Sequence, residues 1–479
     1  MTKPQLFIKC NELNIKTNKS MTIALLRYLI DNNSQTLLIN NNINKVIITK
    51  KPEVNKVQKN QNNEQYSQVS LEITNLLSKD EKKKQGIFIT PKSIIETVMK
   101  ETKTYIDNEN IKITNILEPS CGTCEIVCFL NKLFNNVNID GIELNSTIFE
   151  KIKDIDFNLQ NTNNINIINQ DFLLYPTIKK YDLIVSNPPY VVCDKLRIPQ
   201  NYNLWFIGRT NLFCIFIIHS LHLLNENGIA TFIIPKSFIN SNYYSLVRNY
   251  IKSCCIIVKI IDLDNDFIDT DQPTICLILR KVCLPTELCD YSIKLNNNYI
   301  LTLNKVQTYE IFKNSTTLAS IGLSVKTGNI VWNEKKNMLT PNKTELNSLL
   351  IYNSNISKNN TITILDFKQK GKIDKPQEKF QYINITGSTE PVIVVNRGNG
   401  NSIYKLNYAL VNMDTPFVCE NHLNVIYSKT IKTKPELLVL YNKIIDSLNN
   451  PKTQLFISSY LGNNALSKTE LETIFPIYL

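Results

Sequence analysis

Glycine and histidine are scarce in this chain, at 12 and 3 of 479 residues. His219, His222 and His422 stand at no metal-ligand spacing from one another. Cys121 and Cys124 have the CxxC spacing of a zinc or redox pair, but no second pair completes a tetrahedral site, so no metal is assigned. A glycine-rich phosphate cradle is excluded as well: neither the Gly-x-Gly-x-x-Gly pattern nor the lysine of a phosphate-binding loop is present. No apolar run reaches the roughly 18 residues that a membrane span requires. Residues 1–20 are polar and carry no visible signal peptide. The 12 cysteines are therefore expected to be free thiols of a cytoplasmic, reducing compartment.

What is present is an ordinary globular composition, 43% hydrophobic and 20% charged, on a chain too long for one hydrophobic core. Asn, Lys and Ile are abundant, which reads as AT-rich coding bias rather than as structure. The net charge of +11 is unevenly placed: residues 1–84 carry +7, residues 85–284 carry −2 and residues 285–479 carry +6. A near-neutral middle between basic flanks suits an enzyme with a polyanionic substrate. A helix is expected over Met21–Ile30, a linker over 51–68, and a short amphipathic helix from about Ser70 to Leu77 before a Lys-rich turn. The domains are accordingly read as an N-terminal extension and linker over 1–68, a catalytic domain over 69–284, and a further mixed α+β domain over 285–479.

Between about 113 and 279 the pattern alternates. Apolar, β-branched runs at Ile113–Leu117, Val137–Leu144, Ile165–Ile168, Tyr181–Val185 and Ile229–Ile234 are separated by helical stretches, the last of which opens at Asn211 and ends in Leu223-Leu224-Asn225-Glu226-Asn227-Gly228. Two further runs, Ile256–Leu263 and Thr274–Leu279, lie too close together for a helical crossover and are expected to pair antiparallel. The fold class is α/β: a doubly wound, seven-stranded Rossmann-like sheet with an antiparallel hairpin at its edge.

The chemistry concentrates at the ends of these strands. Tyr181–Ser186 runs directly into Asn187-Pro188-Pro189-Tyr190. The prolines fix a rigid turn at the carboxyl end of a strand, where open α/β sheets bind ligands. The amide oxygen of Asn187 and the carbonyl of Pro188 can accept the two N–H bonds of a planar amine, and Tyr190 offers a face for the ring that bears it. Glu118 ends the first strand and leads through small residues into a helix, which suits a cationic group better than a dinucleotide. Glu143 ends the second strand, where an acid commonly holds ribose hydroxyls. Asp171 and Phe172 follow the third, a carboxylate for an amine beside an aromatic to cover a ring.

The series Phe88-Ile89-Thr90-Pro91, Glu118-Pro119-Ser120-Cys121, Gly141-Ile142-Glu143-Leu144, Asp171-Phe172 and Asn187-Pro188-Pro189-Tyr190 resembles the gamma-type adenine-specific DNA methyltransferases of type II restriction–modification systems, the Eco57I-like group among them, over roughly residues 80–284. The resemblance implies a methyltransferase sheet, S-adenosyl-L-methionine as cofactor and duplex DNA as substrate. It implies that Thr90, Glu118, Cys121 and Gly122 surround the methionine part of the cofactor, with Asn187 beside it. Glu143 would hold the ribose, and Asp171 with Phe172 the adenine ring. It further implies that Asn187 to Tyr190 form the catalytic segment and that Tyr190 and Phe267 stack on a flipped adenine. The 285–479 segment would then recognise the target sequence, with Lys326 and the 396–401 loop as candidate contacts. The chain is expected to act as a monomer, with a cognate restriction endonuclease as a possible partner. The first loop departs from the family in having a single glycine, Gly122. An RNA or protein-glutamine N-methyltransferase, and a non-catalytic DNA-binding specificity protein, stay open as alternatives. A fused nuclease is not expected, since residues 1–84 show no paired-acid-and-lysine motif.

Overall fold

The computed structural model describes residues 3–12, 65–155, 157, 162–176, 178–193, 198–205, 210–263, 272–283, 290–295, 298–365, 367, 379–398, 404–430, 433–461 and 465–479. The helix expected over Met21–Ile30 and most of the 51–68 linker lie outside them. Two compact units divide the chain: residues 54–305, and residues 306–479 together with 1–53.

In the first unit, three helices come before any strand: α1 (Gln68–Leu76), α2 (Lys79–Gln85) and α3 (Lys92–Asn108). The Lys-rich stretch expected to be a turn is α2. Ser78 and Glu81 close a reciprocal capping box at its start, and Gly86 ends it in the left-handed region at φ 69°. These terminal devices outweigh three successive like charges, which a periodicity reading cannot see.

There follow β1 (Asn115–Glu118), α4 (Glu125–Leu133), β2 (Asn138–Glu143), α5 (Ser146–Ile152), β3 (Asn164–Asn169), β4 (Tyr181–Ser186), α6 (Leu212–Leu223), β5 (Leu224–Pro235), α7 (Ser245–Cys254), β6 (Cys255–Asp262) and β7 (Thr274–Lys281). They form one seven-stranded sheet in the order β3-β2-β1-β4-β5-β7-β6. The first five strands in that order are mutually parallel. β6 and β7 pair antiparallel as expected, with β7 inserted between β5 and β6 and antiparallel to both. The segment Asn225–Gly228, which extends the preceding helix in the sequence reading, belongs to β5, with Asn227 at φ 64° and a register shift opposite Tyr181–Leu183.

Alternation along each strand divides the core in two. Ile116 and Leu183 face α3, α4 and α5, whereas Leu117 and Ile184 face α6 and α7, and all four are fully buried. A sheet covered on both faces exposes only its strand ends, and the shared direction of β1 to β5 places their carboxyl ends at one rim. A hairpin, β8 (Ser292–Leu295) with β9 (Asn298–Leu301), completes this unit.

The second unit is mixed α+β. Its antiparallel sheet is ordered β10 (Leu323–Thr327), β17 (Leu423–Ser428), β14 (Val392–Asn396), β15 (Tyr408–Val411). A second sheet is ordered β11 (Leu339–Thr340), β13 (Tyr382–Ile383), β12 (Ser348–Ile351), β16 (Phe417–Cys419), the last two parallel. The helices α8 (Lys305–Phe312), α9 (Lys434–Leu448), α10 (Pro451–Ser459) and α11 (Lys468–Thr473) complete it. Gly328 has no room for a side chain: a Cβ there would sit 2.0 Å from the Glu420 carbonyl oxygen.

Candidate active site

The carboxyl ends of β1 to β4 open into a cavity of about 480 Å³. Thr90, Glu118, Cys121, Gly122, Glu143, Asp171, Phe172, Asn187 and Pro189 line it. Nine of the residues singled out in the sequence therefore converge, although they come from five separate chain segments. Pro188 is buried and Tyr190 half-buried beside them. Phe267 lies outside the described residues.

Three carboxylates face this space and are satisfied unequally. Glu143 is the best held: Oε2 accepts a hydrogen bond from the Gly122 amide at 2.9 Å and Oε1 from the Asn145 amide at 2.7 Å. Burial pushes its carboxyl above the ordinary range and these amides pull it back. Asp171 accepts one bond, from the Leu173 amide at 2.9 Å, as the cap of a 3₁₀ turn. Glu118 is 2% exposed, and its Oε2 has no hydrogen-bond partner. Burial first, then the neighbouring Cys124, push it well above the ordinary carboxylate range, with Glu143 and Glu125 adding to the effect. A buried carboxylate oxygen without a partner costs several kcal/mol if ionised, a cost that a cation beside it would offset.

The loop between β1 and α4 bends where its few small residues permit. Gly122 at φ 51° and Cys124 at φ 63° both sit in the left-handed region, and the Cys124 amide donates to the Cys121 carbonyl at 2.7 Å. Cys121 and Cys124 are free and buried, and the hydrogen bond between their thiols, then burial, raises Cys121 well above an ordinary thiol. They lack the exposed, electropositive setting of a reactive thiolate. Among the described residues no cluster of metal-ligating side chains occurs.

Asn187 is held in one orientation. Its Nδ2 donates to Thr90 Oγ1 at 2.8 Å and to the Phe88 carbonyl at 3.2 Å, which identifies the other amide atom as the acceptor. Tyr190 Oη lies 2.7 Å from Asn187 Oδ1 and 2.8 Å from the Ile233 carbonyl, two acceptors for one proton. The Tyr190 ring stacks on Phe88 with centroids 5.9 Å apart and meets Phe213 edge-on at 6.3 Å. Four supports have no signal in the motif reading. Ser120 Oγ bridges to Ser186 Oγ and to the Asn187 carbonyl, both at 3.1 Å. Phe216 and His219 pack on Phe172 at 4.9 and 4.6 Å. Gly86 lies against the Pro189–Val191 turn, where a Cβ would meet Val191 Cγ2 at 2.5 Å and the Tyr190 amide nitrogen at 3.0 Å. Its position before Phe88-Ile89-Thr90 was the only available hint.

A family model described as Eco57I restriction-modification methylase matches residues 16–268, more than half of the sequence. The chain belongs to that family. It is 36% identical over 255 residues to the modification methylase CviBIII of Paramecium bursaria Chlorella virus NC1A, covering 51% of this chain and 64% of that enzyme. The type II methyltransferase M.CvrRI of Paramecium bursaria Chlorella virus XZ-6E is 26% identical over 365 residues, 75% of this chain and 88% of that one. M.AccI of Acinetobacter calcoaceticus is 30% identical over 230 residues, 46% of this chain and 40% of its own length. The cofactor of this Eco57I-type methylase is S-adenosyl-L-methionine, and the cavity fits it. An orphaned buried carboxylate oxygen suits a cationic ligand, and the aromatic Phe172 lines the same space as Asp171.

Among the C-terminal residues singled out in the sequence, Lys326 lies over the Tyr427 ring at 5.0 Å, and Arg397 Nη1 donates to the Asn421 carbonyl at 2.9 Å. Residues 399–401 lie outside the described residues.

Burial raises the Glu118 carboxyl and a bound cation opposes that shift, so cofactor binding favours its ionised form. Affinity therefore rises with pH up to the raised pKa of Glu118 and levels off beyond it. Glu118→Gln removes this slope and weakens binding by about tenfold, on the order of one buried charge-assisted contact; calorimetric titration across pH reads both effects. Gly86→Ala combines an unfavourable positive φ with a clash against the Pro189–Val191 turn. It is expected to lower methyl transfer by on the order of 10²-fold, the cost of about 1 Å of misplacement, while thermal unfolding shows the fold retained.

Proposed function

We propose that this chain is a site-specific DNA methyltransferase that methylates the 6-amino group of a flipped adenine in duplex DNA, as the modification component of a restriction–modification system. The carrying observation is the fixed Asn187 amide, whose oxygen is an acceptor at the carboxyl end of β4 beside the cofactor cavity. Membership of a restriction-modification methylase family, and relatives named modification methylases and type II methyltransferases, support DNA as the substrate.

In this reading Thr90, Glu118, Cys121 and Gly122 hold the methionine part of the cofactor, with Asn187 at its side. Glu143 takes the ribose, and Asp171 and Phe172 the adenine ring. The cofactor supplies an electrophilic methyl group on sulfur. Asn187 Oδ1 and the Pro188 carbonyl accept the two N–H bonds of the target amine. That draws the nitrogen lone pair out of conjugation with the ring and toward tetrahedral geometry. Pro189 makes the turn rigid, and Tyr190 and Phe267 stack on the extruded base, offsetting part of the few kcal/mol that unstacking costs. Positioning and electrostatics lower the barrier, with no cysteine nucleophile. The basic 285–479 segment is assigned to sequence recognition, after a catalytic domain at 69–284 and an extension at 1–68. Duplex DNA is the partner of a monomeric enzyme, with a cognate endonuclease acting on the same site.

The test supplies labelled S-adenosylmethionine with unmethylated genomic DNA, RNA or a release factor, and maps modified DNA bases by single-molecule sequencing. Methyladenine is expected at one short recurrent sequence. Asn187→Ala is expected to reduce it by at least about 10²-fold, the scale of losing an oriented polar contact to the reacting group. Label confined to RNA or to a protein glutamine would overturn adenine as the target, and cofactor binding without transfer to any acceptor would favour a non-catalytic specificity protein.

A further inference from the structure

Two helices upstream of the first strand help to enclose the cofactor cavity, since Ile73 of α1 and Gln85 of α2 are among its lining residues. Each is anchored by polar contacts to the loops that carry the cofactor-facing acids. At the α1 end, Ser70 is 1% exposed, and its Oγ meets Thr123 Oγ1 at 2.6 Å, a cavity-lining residue next to Gly122. Ser70 Oγ also donates to Glu125 Oε1, which accepts in addition from the Ser67 amide at 3.1 Å. Gln65 Oε1 accepts from the Ser93 amide at 3.1 Å, at the start of α3, where Pro91 provides no side-chain cap. At the α2 end, Gln85 Oε1 accepts from Asn145 Nδ2 at 2.8 Å, and the Asn145 amide in turn donates to Glu143.

We infer that α1 and α2 form a strap that is part of the cofactor site, with Ser70 and Gln85 as positioning residues that set cofactor affinity from behind the Gly122-Thr123 loop and the Glu143 turn. The argument is geometric. Gly122 donates the hydrogen bond that orients Glu143, and Cys124, a non-glycine residue, holds left-handed backbone. Such a conformation persists only where surrounding contacts over-determine it. The buried Ser70–Thr123 contact grips the residue between these two, and Gln85–Asn145 grips the other side of Glu143. Neither Ser70 nor Gln85 is assigned a contact with a reacting atom. Releasing a grip leaves the chemistry intact but lets the cofactor-binding backbone relax, which is felt in affinity.

The inference rests on the cofactor and is independent of which nitrogen is methylated, so it is tested without nucleic acid. S-adenosylmethionine is titrated calorimetrically into the full chain, and amide hydrogen exchange is followed over Gln68–Leu76 with and without cofactor. Ser70→Val is expected to weaken cofactor binding about tenfold, on the order of losing a buried hydrogen-bonded pair. Ser70→Thr, which keeps the hydroxyl, is expected to restore affinity, and Gln85→Ala to weaken it severalfold. In the unmodified chain, cofactor is expected to slow exchange across α1. In a methyl-transfer assay at saturating cofactor, Ser70→Val keeps its kcat while its KM for cofactor rises. Unchanged affinity in both variants, or no slowing of exchange across α1, overturns the inference. A Ser70→Val chain that has lost kcat as much as affinity, without rescue by Ser70→Thr, shows a merely structural role and overturns it as well. If no acceptor is methylated, the calorimetric and exchange results still decide this inference, while the adenine reading fails separately.

Discussion

The side-chain amide of Asn187 donates both of its local hydrogen bonds backwards, to Thr90 Oγ1 and to the Phe88 carbonyl, groups 97 and 99 residues earlier in the chain. A free asparagine amide can turn over and exchange its donor for its acceptor; this one cannot without forfeiting both bonds. Under the proposed function the site depends on that restriction, because an acceptor aimed at a nitrogen is useful only if it stays an acceptor. The restriction in turn needs β4 to deliver Asn187 to the rim and Gly86 to let the Phe88–Thr90 segment pass against the Pro189–Val191 turn. Ser120 holds the Asn187 carbonyl from the β1 loop, so the Asn187–Tyr190 turn and that loop are parts of one hydrogen-bonded structure.

Around this turn the three acids form a gradient of satisfaction. Glu143 has an amide on each oxygen, Asp171 an amide on one, and Glu118 leaves Oε2 bare in a buried position. Burial without a partner is expensive for an ion and tolerable for a neutral acid, which shifts Glu118 toward its protonated form. A cationic ligand opposes that shift on arrival. The least satisfied group thus marks where positive charge belongs, whereas the most satisfied one serves equally to hold the loop together.

Much of this was legible before any coordinates. The seven strands follow from apolar runs of the right length, and the antiparallel final pair follows from a connection too short for a helix. The cofactor-facing acids follow from a simple rule, that chemistry in a doubly wound sheet gathers where strands end. What was hidden depends on contacts with no local pattern. The helix α2 is held by its capping box and glycine stop, against a composition that reads as a charged turn. The insertion of β7 between β5 and β6 is a choice of partner, which pairing by proximity leaves undetermined. Ser120 and Ser70 look like solvent-facing serines until long-range packing buries their partners. Asn225–Gly228 illustrates the reverse error: polar and glycine-bearing, it reads as a helix end, yet the ladder to β4 resumes across it by way of a register shift.

The distribution of charge follows from asking one chain to hold a cation and, under the proposed function, to approach a polyanion. Acids gathered at a sheet rim favour the first and oppose the second, because phosphates are repelled by the same field that draws the cofactor in. Residues 85–284, which carry those acids, are net −2, and no rearrangement within that segment removes the conflict while Glu118, Glu143 and Asp171 remain. The compensating charge lies elsewhere in the sequence, +7 before that segment and +6 after it. At physiological salt, charges more than about 8 Å apart are largely screened from one another in solvent. Separate positive segments therefore attract phosphates locally without neutralising a buried carboxylate, whose interaction with its cation is screened far less. The near-neutral middle and basic flanks visible in the sequence are then the electrostatic form of the same division that the sheet rim makes in space.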